Sequence, residues 1–155
     1  MNLMRNGMDK NLPYTHKHDS LSKLSGVIRR FIPSPNKKKG LPGTNEMENW
    51  ARSNRYGAAA KRKEWKKHVV YSLGKMPRFN RIWLGITYFE PSRQRDPDNI
   101  AGFKKIIMDA LVESGAIKND GWKQVSGWTE RFEIDKDNPG IEIFISEDLM
   151  DVHKK

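Results

Sequence analysis

The 155-residue chain carries 29 Lys and Arg against 19 Asp and Glu, a formal net charge of +10. It has no cysteine, which excludes a disulfide framework and a thiolate metal site. No stretch approaches the roughly 18 apolar residues of a membrane span and the start has no apolar signal core, so a soluble cytoplasmic protein is expected. With 36% hydrophobic residues there is material for one core and hence one domain.

The charge is uneven. Residues 1–80 hold 18 Lys and Arg against 5 Asp and Glu, whereas residues 81–155 hold 11 against 14. A basic first half suits a phosphate backbone, since each neutralised phosphate releases counterions. A solvated basic surface or an anionic-membrane contact is the plainer alternative.

Residues 1–24 are polar and read as a flexible tail, with a folded domain over 25–150. Gly26–Ile32 is β-branched and reads as a first strand, stopped by Pro33 and Pro35. Asn36–Asn54, with Lys37, Lys38 and Lys39 in a row and several Gly, Pro and Asn, reads as a long basic loop. Gly57–Leu73 has helical spacing: Ala58, Trp65, Val69 and Leu73 form one stripe, and Lys61, Arg62, Lys63, Lys66 and Lys67 crowd the rest. These cations are candidates for DNA contact.

Arg81–Phe89 alternates as a strand with Ile82, Leu84, Ile86 and Tyr88 on one side. A basic turn follows, holding Arg93 and Arg95, which with Lys37, Lys38 and Lys39 are further candidates for DNA contact. A second helix then runs from Pro97 to Ser114, ended by Gly115. Trp122–Ile134 and Gly140–Ile145 read as two strands joined by the turn Asp135–Pro139, a hairpin. The order predicts an α+β fold, a small mixed sheet with two main helices packed on it.

The start of the second helix carries the chemistry. Pro97 pushes Asp96 into an extended conformation and itself suits the first helical turn, so Asp96 is a natural N-cap and Asp98 sits where the helix dipole favours an anion. At about 100° per residue, Ile100, Phe103, Ile107, Ala110, Leu111 and Ser114 share the core side. Asp98, Gly102, Lys105 and Asp109 share the other, where glycine leaves room for an approaching backbone. A divalent cation needs several carboxylate oxygens converging on one point. The bend at Pro97 turns Asp96 and Asp98 toward one pocket, and Asp120 is the candidate third ligand. The helix carries the chain about 24 Å away. The six residues to Asp120 return at most about 22 Å, so the chain must run straight back.

Arg95-Asp96-Pro97-Asp98-Asn99, a lysine, Asp109-Ala110-Leu111, a small residue before Gly115 and then Asn119-Asp120 resemble the signature of the RusA family of Holliday junction resolvases. The resemblance covers Arg93–Val125, with weaker likeness over Ile32, Pro33 and Asn36 and over the basic helix. It implies a magnesium-dependent endonuclease, with manganese able to substitute, that cuts four-way DNA junctions as a homodimer and is common in phages and prophages. By position the family's essential carboxylates fall on Asp96, Asp98 and Asp120, its lysine on Lys105 (Lys104 where the spacing is shorter) and its asparagine on Asn99. Many members have Asp-Asp where this chain has Asn119-Asp120, which removes one possible ligand. Lys105 would steady the scissile phosphate.

His16, His18, His68 and His153 have no carboxylate or cysteine partner nearby in sequence and are not expected in catalysis. Trp122 and Trp128 read as core or dimer-interface aromatics, with base stacking the sharper alternative. Two other functions fit the same residues. One is a non-catalytic, basic nucleic-acid-binding protein of phage origin, in which Asp96 only caps a helix. The other is a magnesium nuclease for flaps or nicks.

Overall fold

The computed structural model describes residues 27–148; the expected tail and His16, His18 and His153 lie outside the described residues. The fold is α+β, as expected. Four strands form one mixed sheet: β1 (Val27–Pro33), β2 (Ile82–Glu90), β3 (Val125–Ile134) and β4 (Gly140–Glu147), in spatial order β1-β4-β2-β3. β4 is antiparallel to both β1 and β2, with Ile141 opposite Ile32 and Tyr88, while β3 runs parallel to β2.

The last two strands are therefore not a hairpin. β2 lies between them, and the Asp135–Pro139 connection steps over it. Its five residues can reach about 16 Å, comfortably more than the two strand spacings to be crossed. The choice follows burial. β2 is buried along nearly its whole length and needs a partner on each side. β3, with Glu130, Arg131 and Glu133 along it, has the charge that suits an exposed edge. The Asp135 amide donates to the Glu90 carbonyl at 2.9 Å, and the Asp135 carboxylate accepts from the amides of Asp137 and Asn138, which shapes the turn.

Helix α1 (Thr44–Ser53) occupies part of what reads in sequence as loop, and α2 (Arg55–Leu73) follows it directly. Met47 of α1 is buried and Trp50, one turn on, half-buried; in the sequence this short stripe sits among Gly, Pro and Asn and reads as loop. Its local start signal is Glu46, whose carboxylate accepts from the Gly43 amide at 3.0 Å. Asn54 ends α1 and caps α2, accepting from the amides of Tyr56 and Gly57.

The second expected helix forms in three joined pieces: α3 (Pro97–Ile100), a 3₁₀ turn (Ala101–Phe103) and α4 (Lys104–Glu113). Ile100, Phe103, Ile107, Ala110 and Leu111 are buried, as the wheel requires, with Ser114 half-buried beside them. They pack with Val69 and Leu73 of α2 against one face of the sheet, where Ile82, Leu84, Ile86, Tyr88, Ile141, Ile143 and Ile145 all lie. On the opposite sheet face Arg29 pairs with the fully buried Glu142 at 2.6 Å. Among the described residues no helix is long and apolar enough to cross a membrane.

Candidate active site and basic groove

Asp96 has the extended backbone of an N-cap, and its carbonyl accepts from the Ile100 amide at 3.1 Å, but its carboxylate makes no capping bond. Asp96 and Asp98 are both exposed. The ion pairs of this segment run through Arg95, Lys104 and Lys105 instead. Side-chain capping is therefore not what the Asp96 carboxylate does here.

Arg95 is not a surface cation. Its guanidinium donates to both Glu90 carboxylate oxygens (Nε to Oε1 2.7 Å, Nη2 to Oε2 2.9 Å), to Glu46 at 3.0 Å and to the Leu41 carbonyl at 2.8 Å. With so many bonds inside the protein it is a fastener rather than a phosphate contact, tying the turn before Asp96 to β2 and to the start of α1. Burial works against the charge of Arg95, but hydrogen bonding and attraction to Glu90 and Glu46 outweigh it and raise its pKa. Burial likewise works to raise the Glu46 carboxyl; its bonds to backbone amides and to Arg95 prevail and hold it below the usual carboxylate range. Arg93 is exposed.

Asn99 and Gly102 prove to be internal fittings. The Asn99 side-chain oxygen accepts from the Asn45 amide at 2.8 Å, satisfying a donor in the first turn of α1. A Cβ at Gly102 would run into the Thr44 hydroxyl and lie 2.7 Å from the Thr44 nitrogen. The backbone that needs this glycine is thus the start of α1, not a ligand.

Gly115, at φ 80°, turns the chain after α4. Ala116 and Ile117 are buried, and the return stretch brings Asp120 abreast of α4. The Lys105 ammonium lies 3.0 Å from Asp109 and 3.5 Å from Asp120, and its pKa is raised, chiefly through its hydrogen bond and attraction to Asp109. Asp98 lies about 10 Å further along the helix axis. Among the described residues no three acidic or histidine side chains stand together as a ready-made metal cage. Asp120 joins Lys105 and Asp109, and the expected three-carboxylate cluster with Asp96 and Asp98 is not preformed. Magnesium, however, is commonly held by one or two carboxylates, waters and substrate phosphates. The exposed pair Asp96 and Asp98 has the right donors for that.

Lys105 and Asp109 also line a groove of about 690 Å³ whose other wall is the basic face of α2, with Arg62, Lys63 and Lys66. Its floor includes Met47 and Ile106. Lys66 also pairs with Glu113 at 3.7 Å, and Lys61 lies 5.3 Å from the centroid of the Trp50 ring. Lys67 and the Lys37, Lys38 and Lys39 run are exposed. Lys104 points elsewhere, pairing with Glu130 at 2.8 Å over the Trp128 ring, so the structure separates the two adjacent lysines.

Trp122 and Trp128 are 95% and 45% exposed, which removes the core reading of both. His68 bonds the Pro33 carbonyl through Nε2 at 2.7 Å, tying α2 to the end of β1. Sequence reasoning missed Glu46 and Glu90. Their only signals were an acid at the third position of an unrecognised helix and an acid ending an apolar strand. No family model matches the chain, and none of the curated proteins matches it either.

Proposed function

We propose that this chain is a magnesium-dependent endonuclease of branched DNA, resolving four-way junctions by phosphodiester hydrolysis. The observation that carries the reading is the shared groove: cations of α2 and the Lys105–Asp109 stripe of α4 face the same space. A DNA strand in that groove has its phosphates balanced by Arg62, Lys63 and Lys66 on one wall. Lys105, ion-paired with Asp109, faces it from the other and can steady charge developing on a phosphate under attack. Asp96 and Asp98 are the residues that would hold magnesium, which when bound lowers the pKa of a water and polarises the phosphodiester. Asp120, held on Lys105, keeps that ammonium in position. Paired incisions on opposite strands call for a two-fold pair of chains.

A second reading, a non-catalytic nucleic-acid binder, is favoured by the cations of the groove, which need no metal to hold a phosphate backbone. The test is a synthetic four-way junction with magnesium, comparing wild type with Asp98→Asn. Wild type should cut and Asp98→Asn should bind without cutting. Binding without cutting by both proteins would establish the second reading instead.

A further inference from the structure

A second cavity, of about 570 Å³, opens on the other side of α1, within the size range of small-ligand sites. Its walls include two half-buried tryptophans, Trp50 of α1 and Trp65 of α2. Trp65 is fixed by edge-to-face contacts with Phe103 and His68, at ring-centroid separations of 6.1 and 5.7 Å. The lining adds polar and charged groups at Gln94, Arg95 and Glu46, and two exposed lysines, Lys38 and Lys39. The loop bearing those lysines is itself shaped: the Ser34 hydroxyl donates to the carbonyls of Asn36 and Lys39, and the Asn36 side chain accepts from the Lys38 amide.

Aromatic walls, polar groups with both donors and acceptors, and cations at the entrance are together the chemistry of a nucleotide site. A purely apolar ligand would leave the Gln94 amide unmatched on burial. A bare anion would have no use for two indole rings. A nucleobase uses all of them, stacking on an indole and bonding through its edge while its phosphate meets lysine.

We infer that this cavity takes a single unstacked nucleotide of the bound DNA, its base between α1 and α2 and its phosphate at Lys38 and Lys39. The inference rests on the proposed function and deepens it. Gln94 and Arg95 line the cavity and Asp96 follows them directly, so a captured nucleotide would bring its neighbouring phosphodiester toward Asp96 and Asp98. Nucleotides at a branch point lose stacking partners, so extracting one there costs less than from a continuous duplex. The cavity would thereby supply preference for branches without reading sequence.

The test needs neither cutting nor metal. A six-nucleotide oligothymidylate and an abasic oligomer with the same number of phosphates are titrated against the full chain in the absence of divalent ions. The base-bearing strand should bind about tenfold more tightly. Trp50→Leu should remove that preference and leave abasic binding unchanged, Lys38→Glu should weaken both, and Trp122→Ala, on the exposed turn, should alter neither. Equal affinity of wild type for the two oligomers overturns the inference, whatever the variants do. So does a preference that survives Trp50→Leu in a folded protein, or one that disappears with Trp122→Ala. None of these results bears on junction cleavage, which the Asp98→Asn comparison tests separately.

Discussion

Replacing Arg95 with methionine keeps an apolar stem of similar length and removes a guanidinium that four hydrogen bonds engage. Glu90 and Arg95 side chains are only 7% and 19% exposed, so the loss strands a buried carboxylate. Breaking such a pair from one side costs about 3–5 kcal/mol. The Glu46 arm adds little, because that carboxylate is 39% exposed and water screens it. A net loss of about 3 kcal/mol is expected, a large share of a typical domain's 5–15 kcal/mol. It should lower Tm by about 10–15 °C.

Urea unfolding followed by circular dichroism, with thermal melts, measures this. Arg95→Lys should recover only part, since one ammonium cannot fork across Glu90, Glu46 and the Leu41 carbonyl. The pH dependence has a definite sign. Glu46 has its folded pKa depressed, so its contribution is present above the ordinary carboxylate value and lost as pH falls through the folded one. Part of it comes from Arg95, so the gap between wild type and Arg95→Met should narrow in acid. An Arg95→Met protein within about 1 kcal/mol of wild type at neutral pH would refute the idea that this guanidinium fastens the turn before Asp96.

Three further outcomes are expected. Gly102→Ala should cost about 1–3 kcal/mol in unfolding experiments, because the new methyl meets Thr44 and α1 must shift; an unchanged Tm would mean α1 docks loosely. Lys105→Ala should change stability by less than about 0.5 kcal/mol, its ion pairs being surface ones, while junction cleavage falls by a hundredfold or more; normal cleavage would remove Lys105 from the mechanism. Changing Lys37, Lys38 and Lys39 together to alanine should flatten the slope of log affinity against log salt by about 2–3, as measured by anisotropy, and an unaltered slope would place the DNA away from this loop.

Much of the fold was legible because its signals are local. The alternation of Ile82, Leu84, Ile86 and Tyr88, the 3.6-residue stripe of α2 and the wheel of the second long helix each follow from the geometry of one element, and the structure keeps them all. The clustering of Lys105 with Asp109 was likewise readable as one helix face. Helix α1 was not, because its short apolar stripe lies among Gly, Pro and Asn that read as loop, and the residues its start packs on, Asn99 and Gly102, are some fifty residues away. The sheet order was hidden for a related reason. Adjacent strands with a five-residue turn look like a hairpin, and only competition for the two inner positions, taken by the more apolar β2 and β4, separates β3 from β4.

The site divides the same way. Sequence by itself determined which residues are charged, that the bend at Pro97 starts a helix, and which side of that helix faces away from the core. Only the tertiary structure decided what those charges meet: Arg95 is drawn inside by Glu90 and Glu46, Asp120 comes to Lys105, and α2 lays its cations along the same groove. Local periodicity sets direction, whereas partnership between distant charges depends on how the packed apolar faces bring their elements together.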